Sequence, residues 1–361
     1  LSKLNKLFQD LLIAYVPGDY VVPDFTDEQY KVLNSFVLAC QDINKNEHEL
    51  MTKELLDYYL EVSRFLKISE YYGDRYIAYI HREDDNAALH LLCLDASRLL
   101  GRTMDRIKGT VLFSATLSPI DYYVDILGGD KRFDPTLILP SPFPKRNLEV
   151  LVAPKVSIKW KNRDSSYTEV ANYIKAFIKN KVGNYFIYSP SYEYMEKLLT
   201  ILDLPDDIIV HKQEREMTDM EREDFLLNFQ NNPTTTTLGF LVLGGAFSEG
   251  IDLVSDRLIG AIIIGIGMPK INFESDQIAE YFKNQNKPGH DYAYLNPGMN
   301  KIMQAVGRVI RSENDRGAVL LIDERYMSHQ YQDLYRIEWS NYKVVLSAEE
   351  VEETLQKFFK E

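Results

Sequence analysis

The sequence predicts an α/β protein built on a mostly parallel sheet flanked by helices, with a mostly helical segment in front of it. Three observations carry this expectation. Beyond about residue 145, strand-like runs at 148–153, 184–189, 207–211, 238–243, 260–266 and 317–322 alternate with helical patterns near 166–181, 191–203, 218–230, 275–284 and 297–311. Such alternation is the signature of parallel strands joined by crossover helices. Runs such as 260–266 are continuously apolar, as expected when both faces of a strand lie under helices. Residues 1–85, by contrast, place Phe36, Val37, Cys40 and Ile43, and again Leu55, Tyr58, Tyr59, Val62 and Phe65, at helical spacing.

The remaining elements follow in chain order. Gly73-Asp74 breaks the helical pattern. Strand-like runs at 76–80 and 89–94 flank the polar stretch Asp84-Asp85-Asn86, and a third strand is expected over 109–114, ending in a small-residue turn. Pro140, Pro142 and Pro144 mark a boundary between domains.

Composition narrows the function classes. The chain has 361 residues with 45% hydrophobic content, ample for a buried core and for two domains. Its net charge of −13 argues against wholesale wrapping of nucleic acid but leaves room for a local cationic track. Cys40 and Cys93 stand far apart and cannot build a disulfide framework, a four-cysteine zinc site or a complete iron–sulfur site within this chain. Each reads as a buried apolar filler. The six histidines show no ligand spacing, so no metal is assigned. No apolar run approaches a membrane span and no signal pattern opens the chain, so no membrane partner and a cytoplasmic location are expected.

In parallel sheets ligand chemistry gathers beyond the carboxyl ends of the strands, and two segments there stand out. The run 238–243 leads into Gly244-Gly245-Ala246-Phe247-Ser248-Glu249-Gly250-Ile251-Asp252-Leu253. Glycine permits close approach of backbone to a ligand, and a carboxylate there can accept hydrogen bonds from a ribose. The plainer reading is a tight turn with solvated acids. In Gln304-Ala305-Val306-Gly307-Arg308-Val309-Ile310-Arg311, residues 304, 308 and 311 fall on one face if the helix continues through them. Gly307 then costs about 1 kcal/mol of helix stability, which points to a close-packed neighbour. Two guanidiniums and an amide on one face suit phosphate oxygens. The alternative is surface arginines paired with Glu313 or Asp315. Asp323-Glu324, after an apolar run, imitates the acidic pair of a magnesium-binding ATPase. No Gly-x-x-x-x-Gly-Lys-Ser/Thr occurs in the sequence to supply the phosphates, so the pair is read as a decoy.

The order of these segments resembles the XPD/DinG-like family of superfamily 2 DNA helicases. Phe113-Ser114-Ala115-Thr116-Leu117-Ser118-Pro119 resembles motif III, and the run 185–189 with Pro190-Ser191-Tyr192 resembles motif IV. Residues 245–253 resemble motif V, and 304–311 match the motif VI pattern Gln-x-x-Gly-Arg-x-x-Arg. The wording Phe-Ser-Glu-Gly-Ile-Asp-Leu is similar to that of Gram-positive bacterial members. The resemblance runs from about residue 75 to 345.

The resemblance implies two RecA-like motor domains with ATP between them. Residues 1–75 would be the end of an arch-like insertion, 76–144 the closing part of the first motor domain, and 145–361 the second. The phosphate loop, the magnesium site and any iron–sulfur cysteines would lie before residue 1, in the missing part of the first motor domain, which becomes an implied partner. By the same resemblance Arg308, Arg311 and Gln304 would act on the γ-phosphate. Glu249, Gly250, Asp252 and Gly307 would line the nucleotide side of the cleft, and Ser114 and Thr116 would couple the domains. Single-stranded DNA would touch Ser189, Tyr192, Ser248, Lys270 and the stretch Lys159-Trp160-Lys161-Asn162-Arg163. For that stretch the plainer reading is an exposed loop with Trp160 tucked inward. The expected whole is a monomeric, ATP-dependent, magnesium-using DNA helicase of repair, with this chain inactive by itself. The alternatives are a non-catalytic nucleic-acid-binding module and the helicase-like body of a nuclease.

Overall fold

The computed structural model describes residues 2–22, 27–245, 247, 253, 255–269 and 271–360, without the side chain of His48. The chain divides into two compact units, one made of 1–111, 124–133 and 271–289, the other of 112–123, 134–270 and 290–361.

The second unit is the predicted α/β body. Strands β4 (Leu148–Ala153), β5 (Asn184–Ser189), β6 (Ile209–Lys212), β7 (Thr237–Val242), β8 (Gly260–Ile264), β9 (Gly317–Ile322) and β10 (Lys343–Val344) form one seven-stranded sheet. Their order is β10-β4-β9-β8-β5-β7-β6 and every pairing is parallel. Alternation along each strand assigns side chains to two cores. Leu151, Ile187, Ile262, Ile264 and Leu320 pack with Tyr167, Ile174 and Phe177 of α6 (Arg163–Ile178), Leu198 of α7 (Tyr192–Ile201) and Leu355 of α12 (Ala348–Lys360). On the other face Val152, Phe186, Tyr188, Ile263 and Leu321 pack with Phe225 of α8 (Asp219–Leu227) and with Met299, Ile302 and Val306 of α10 (Asn296–Val306). Both faces are covered, which is why these strands read as unbroken apolar runs. Thr218 and Glu221 close a reciprocal capping box at the start of α8.

The first unit pairs helices with a small antiparallel sheet, β1 (Gly18–Val22), β2 (Tyr76–Glu83) and β3 (Asn86–Cys93), ordered β1-β2-β3. Leu4 of α1 (Ser2–Ala14), Leu33, Phe36, Val37 and Cys40 of α2 (Asp27–Asn46), and Val62 and Leu66 of α3 (Lys53–Ser69) form its helical core. Cys40 is buried, as its filler role requires, and burial raises its thiol pKa; Cys93 is only partly covered. Leu11, Val22, Ala78 and Ile80 tie α1 to one face of the sheet.

The structure departs from the sequence expectations at three places. Residues 109–114 are not a strand. Val111 and Phe113 are 84% and 89% exposed, and no strand lies beside them among the described residues to take up their backbone groups, which a strand requires. The expected crossover helix at 275–284 exists as α9 (Phe273–Asn284), yet the stretch 271–289 belongs to the first unit. There the Phe273 ring packs tilted against Tyr79 at 4.9 Å, the Tyr79 hydroxyl donates to Glu274 at 2.6 Å, and the Tyr281 hydroxyl donates to Asp95 at 3.3 Å. Finally, the prolines at 140–144 do not divide the two units. Residues 112–123 and 134–144 group with the α/β body, where the amide of Ser141 donates to Glu338 at 2.9 Å and Tyr122 packs edge-on against Tyr292.

Ile262 is wholly buried in β8, near the middle of the sheet. Ile262→Ala should destabilise the chain by about 2–5 kcal/mol. A loss under about 1 kcal/mol in urea unfolding would contradict this packing.

Candidate functional site at the carboxyl edge of the sheet

Parallel strands send all their outgoing loops to one edge. The loops after β4, β5 and β7 carry most of the candidate residues. After β4, Trp160 is 75% exposed, so the inward-tucked reading is overturned. Its ring is covered on one side by the guanidinium of Arg163, 5.0 Å from the centroid, which also lies 5.9 Å from the ring of Tyr194. Lys161 is exposed beside it. Lys159 is committed elsewhere, in an ion pair with Glu324 at 2.9 Å. Lys159 and then the Ser157 hydroxyl, 2.8 Å away, lower the pKa of the Glu324 carboxyl.

Asp323 has no exposed surface. Arg325 grips both of its oxygens at 2.7 Å, and the amides of Arg325 and Ile158 donate to it at 2.9 and 3.3 Å. A carboxylate so fully engaged fastens the end of β9 to the loop after β4, and together with the paired Glu324 it does not fit a magnesium ion.

At the end of β5, Ser189 is entirely buried and its hydroxyl has no partner among the described residues. Facing inward, it cannot touch a nucleic acid in this structure, contrary to expectation. The next serine, Ser191, caps α7 by accepting from the amide of Tyr194 at 3.2 Å. Tyr192 is partly exposed, and the guanidinium of Arg215 sits 5.1 Å from its ring centroid.

Gln213, just past β6, is the hub of this edge. Its amide N–H donates to Phe240 O at 2.8 Å, its side-chain oxygen accepts from the amide of Val242 at 3.0 Å, and its side-chain nitrogen donates to the Tyr192 hydroxyl at 2.8 Å. The turn leaving β7 is packed just as tightly. A Cβ on Gly245 would sit 3.0 Å from the Gln213 side-chain nitrogen. Gly244 has φ +78°, and a Cβ there would lie 2.7–3.0 Å from Cδ, Cε and Nζ of Lys301. The two glycines thus admit two protein side chains, one from each side. Ser248, Glu249, Gly250, Asp252 and Lys270 lie outside the described residues.

The motif on α10 differs from expectation. The helix ends at Val306 with Gly307 as its cap, so residues 304, 308 and 311 do not share one helical face. Turn bonds from Arg308 N to Ala305 O and from Val309 N to Val306 O close the helix. Asp315 then accepts from the amides of Arg311 and Ser312 at 2.6 and 2.8 Å, and the Ser312 hydroxyl donates to it at 2.6 Å. This carboxylate organises the backbone beyond the helix, a competing hydrogen-bond pattern that helical spacing cannot reveal. A Cβ on Gly307 would meet only carbonyl oxygens of its own helix, Met303 at 3.0 Å, so its role is that of a helix end. Gln304 is partly exposed and Arg311 exposed. Arg308 is 6% exposed and close to Tyr188, whose pKa is raised by burial and held back by the nearby guanidinium. In the motif III segment, the amide of Thr116 donates to the Ser114 hydroxyl at 3.2 Å and Arg336 donates to Ala115 O, so these residues fold upon themselves and onto the α/β body.

With this geometry in view, comparison with known proteins gives a consistent outcome. Residues 174–342 match the helicase C-terminal domain. The chain is similar to the C-terminal portion of XPD/DinG-like helicases of superfamily 2. Over 296 residues it is 25% identical to the general transcription and DNA repair factor IIH helicase subunit XPD/RAD3 of Saccharomyces cerevisiae, covering 75% of this chain and 38% of that protein. Over 235 residues it is 28% identical to the ATP-dependent DNA helicase DinG of Photobacterium profundum, covering 63% of this chain and 33% of that one. The chain therefore spans about a third of the length of the curated relatives it matches. A solved apo structure of XPD superposes with a TM-score of 0.62 at 21% identity, over 95% of this chain and 68% of the other, and shares its fold. The parallel sheet with helices on both faces is thus RecA-like.

Gln213, Arg215 and Lys301 escaped the sequence reading. A glutamine directly after a strand was the available signal for Gln213, and a position three residues before Gln304 on one helix was the signal for Lys301.

The Asp323 geometry yields a test. Asp323→Ala leaves Arg325 without its buried partner and should cost about 3–5 kcal/mol. Glu324→Ala breaks an exposed pair and should cost less than about 1 kcal/mol. Equal losses in chemical unfolding would refute the structural role given to Asp323.

Proposed function

We propose that this chain is the C-terminal portion of an ATP-dependent DNA helicase motor, supplying nucleotide-responsive groups and part of the grip on single-stranded DNA. The observation that carries the reading is the Gly244-Gly245 turn, packed by Gln213, which holds Tyr192, and by Lys301 of the helix that bears Gln304 and ends at Gly307, on a RecA-like sheet whose stretch 174–342 matches a helicase C-terminal domain. The names of the relatives, an XPD/RAD3 helicase subunit of a transcription and DNA repair factor and an ATP-dependent DNA helicase, support the same class.

In this proposal Arg311 and Arg308 stabilise charge developing on the γ-phosphate, a contribution worth about 10³–10⁵ in rate in nucleotide hydrolases. Gln304 orients a phosphate oxygen or the attacking water. Glu249, Gly250 and Asp252 contact the nucleotide side of the cleft, and Ser114 and Thr116 pass the nucleotide state between motor domains. The phosphate loop and the magnesium ligands belong to the first motor domain, because Asp323 and Glu324 are engaged within the protein. Trp160, with Arg163 behind it and Lys161 beside it, stacks on an unpaired base. Tyr192, Ser248 and Lys270 hold the backbone. The whole protein works in the cytoplasm as a monomer in DNA repair.

A second reading, a nucleic-acid-binding module without catalysis, is favoured by one observation. Arg308 is buried while Trp160 and Lys161 are exposed. ATP hydrolysis separates the two, measured with and without single-stranded DNA on the protein extended upstream to include a phosphate loop. Arg311→Ala and Arg308→Ala should each lower DNA-stimulated turnover by at least about 10³-fold. Unchanged turnover in both would leave the binding-module reading in place. Under either reading, Trp160→Ala should weaken binding to oligo-dT by about 1–3 kcal/mol in fluorescence anisotropy, and an unchanged affinity would remove Trp160 from the interface.

A further inference from the structure

The stem of Lys301 packs in the fold, but its charge serves no contact among the described residues. It leaves α10 and crosses the Gly244 turn, with Cδ, Cε and Nζ all within 3.0 Å of where a Cβ would stand. That crossing depends on the absence of a side chain at residue 244 and on its φ of +78°. Among the described residues the ammonium has no carboxylate partner and no hydrogen bond, although the chain carries 54 acidic residues against 41 lysines and arginines. Half-burying a lone ammonium is costly, and an anion that completes the site offsets that cost. Burial accordingly lowers its pKa.

A second cation is linked to the same turn through two side chains. Gly245 is packed by Gln213, Gln213 holds the Tyr192 hydroxyl, and Arg215 covers the Tyr192 ring. Lys301 packs directly on a two-glycine turn at the carboxyl edge of the sheet and Arg215 is tied to it through Tyr192 and Gln213, where backbone and cations can meet a ligand together. The arrangement suits oxyanions spaced along a chain better than one isolated ion.

We propose that Lys301, reaching over Gly244, forms a phosphate-oxyanion site at the turn after β7, with Arg215 as a second contact for an adjacent phosphate. The site deepens the helicase reading and rests on it for its natural ligand. Phosphates of a nucleic-acid backbone and those of a nucleotide share this chemistry, and the test tells them apart.

The probes are (dT)12 and inorganic tripolyphosphate, and the variant is Lys301→Met, which keeps apolar packing over Gly244 while removing the charge. Binding of (dT)12 is followed across a salt series. Acetylation of Lys301 by acetic anhydride is read by peptide mass spectrometry with and without each probe. The expected result is a three- to tenfold loss of (dT)12 affinity in the variant, a salt slope shallower by about 0.7, and protection of Lys301 by (dT)12. Protection by tripolyphosphate alone, with an unchanged salt slope, assigns the site to nucleotide phosphates. Absence of protection by both probes, with an unchanged slope, overturns it. If the unmodified chain fails to bind (dT)12 at all, the helicase reading falls, while tripolyphosphate protection still decides the site.

Discussion

Everything at the candidate site depends on one constraint, the parallel pairing of seven strands whose two faces are both buried. Parallel pairing needs a crossover between strands, and the crossovers here place α6 and α7 on one face, joined there by the terminal α12, and α8 and α10 on the other. With both faces closed by apolar side chains, polar chemistry is confined to the strand ends. The fold thus brings together residues from segments 159–163, 189–192, 213–215 and 244–245, and Lys301, that are far apart in the chain.

At that edge, electrostatics is a matter of which charges are already spent. Arg325 is bound by Asp323 and Lys159 by Glu324, so these cations stabilise the fold and contribute little field beyond it. Arg163 and Arg215 lie over aromatic rings instead, where cation and ring together make an amphipathic surface suited to bases and their phosphates. In a chain of net charge −13, a few such unspent cations can define a local track without making the protein sticky to nucleic acid as a whole.

Much of this was legible in the sequence. The strands of the body fell within a few residues of their expected places because continuous apolar runs have few other uses, and 148–153, 184–189 and 317–322 matched β4, β5 and β9 directly. Periodicity failed where a local hydrogen-bond pattern outweighed it. It extended α10 through Arg311, whereas Gly307 and the Asp315 carboxylate end the helix at Val306. It also read 109–114 as a strand, since alternation reports which face is apolar and not whether a neighbouring strand is present. Ser189 was misjudged because a strand's last residue can point inward as well as outward. Gln213 and Lys301 were invisible for a deeper reason, since their importance lies in contacts with two glycines remote in sequence.

The placement of α9 has a consequence for how the molecule assembles. The first unit draws on residues 271–289, and its Tyr79–Glu274 bond joins positions 195 apart in sequence. At a ribosomal pace of roughly 5–20 residues per second, Tyr79 waits about 10–40 s for its partner to be made. During that interval β4 to β8 emerge in full. The small sheet must therefore hold its Tyr79 face uncovered while most of the larger sheet is still being synthesised, and the two folding events are interleaved in time.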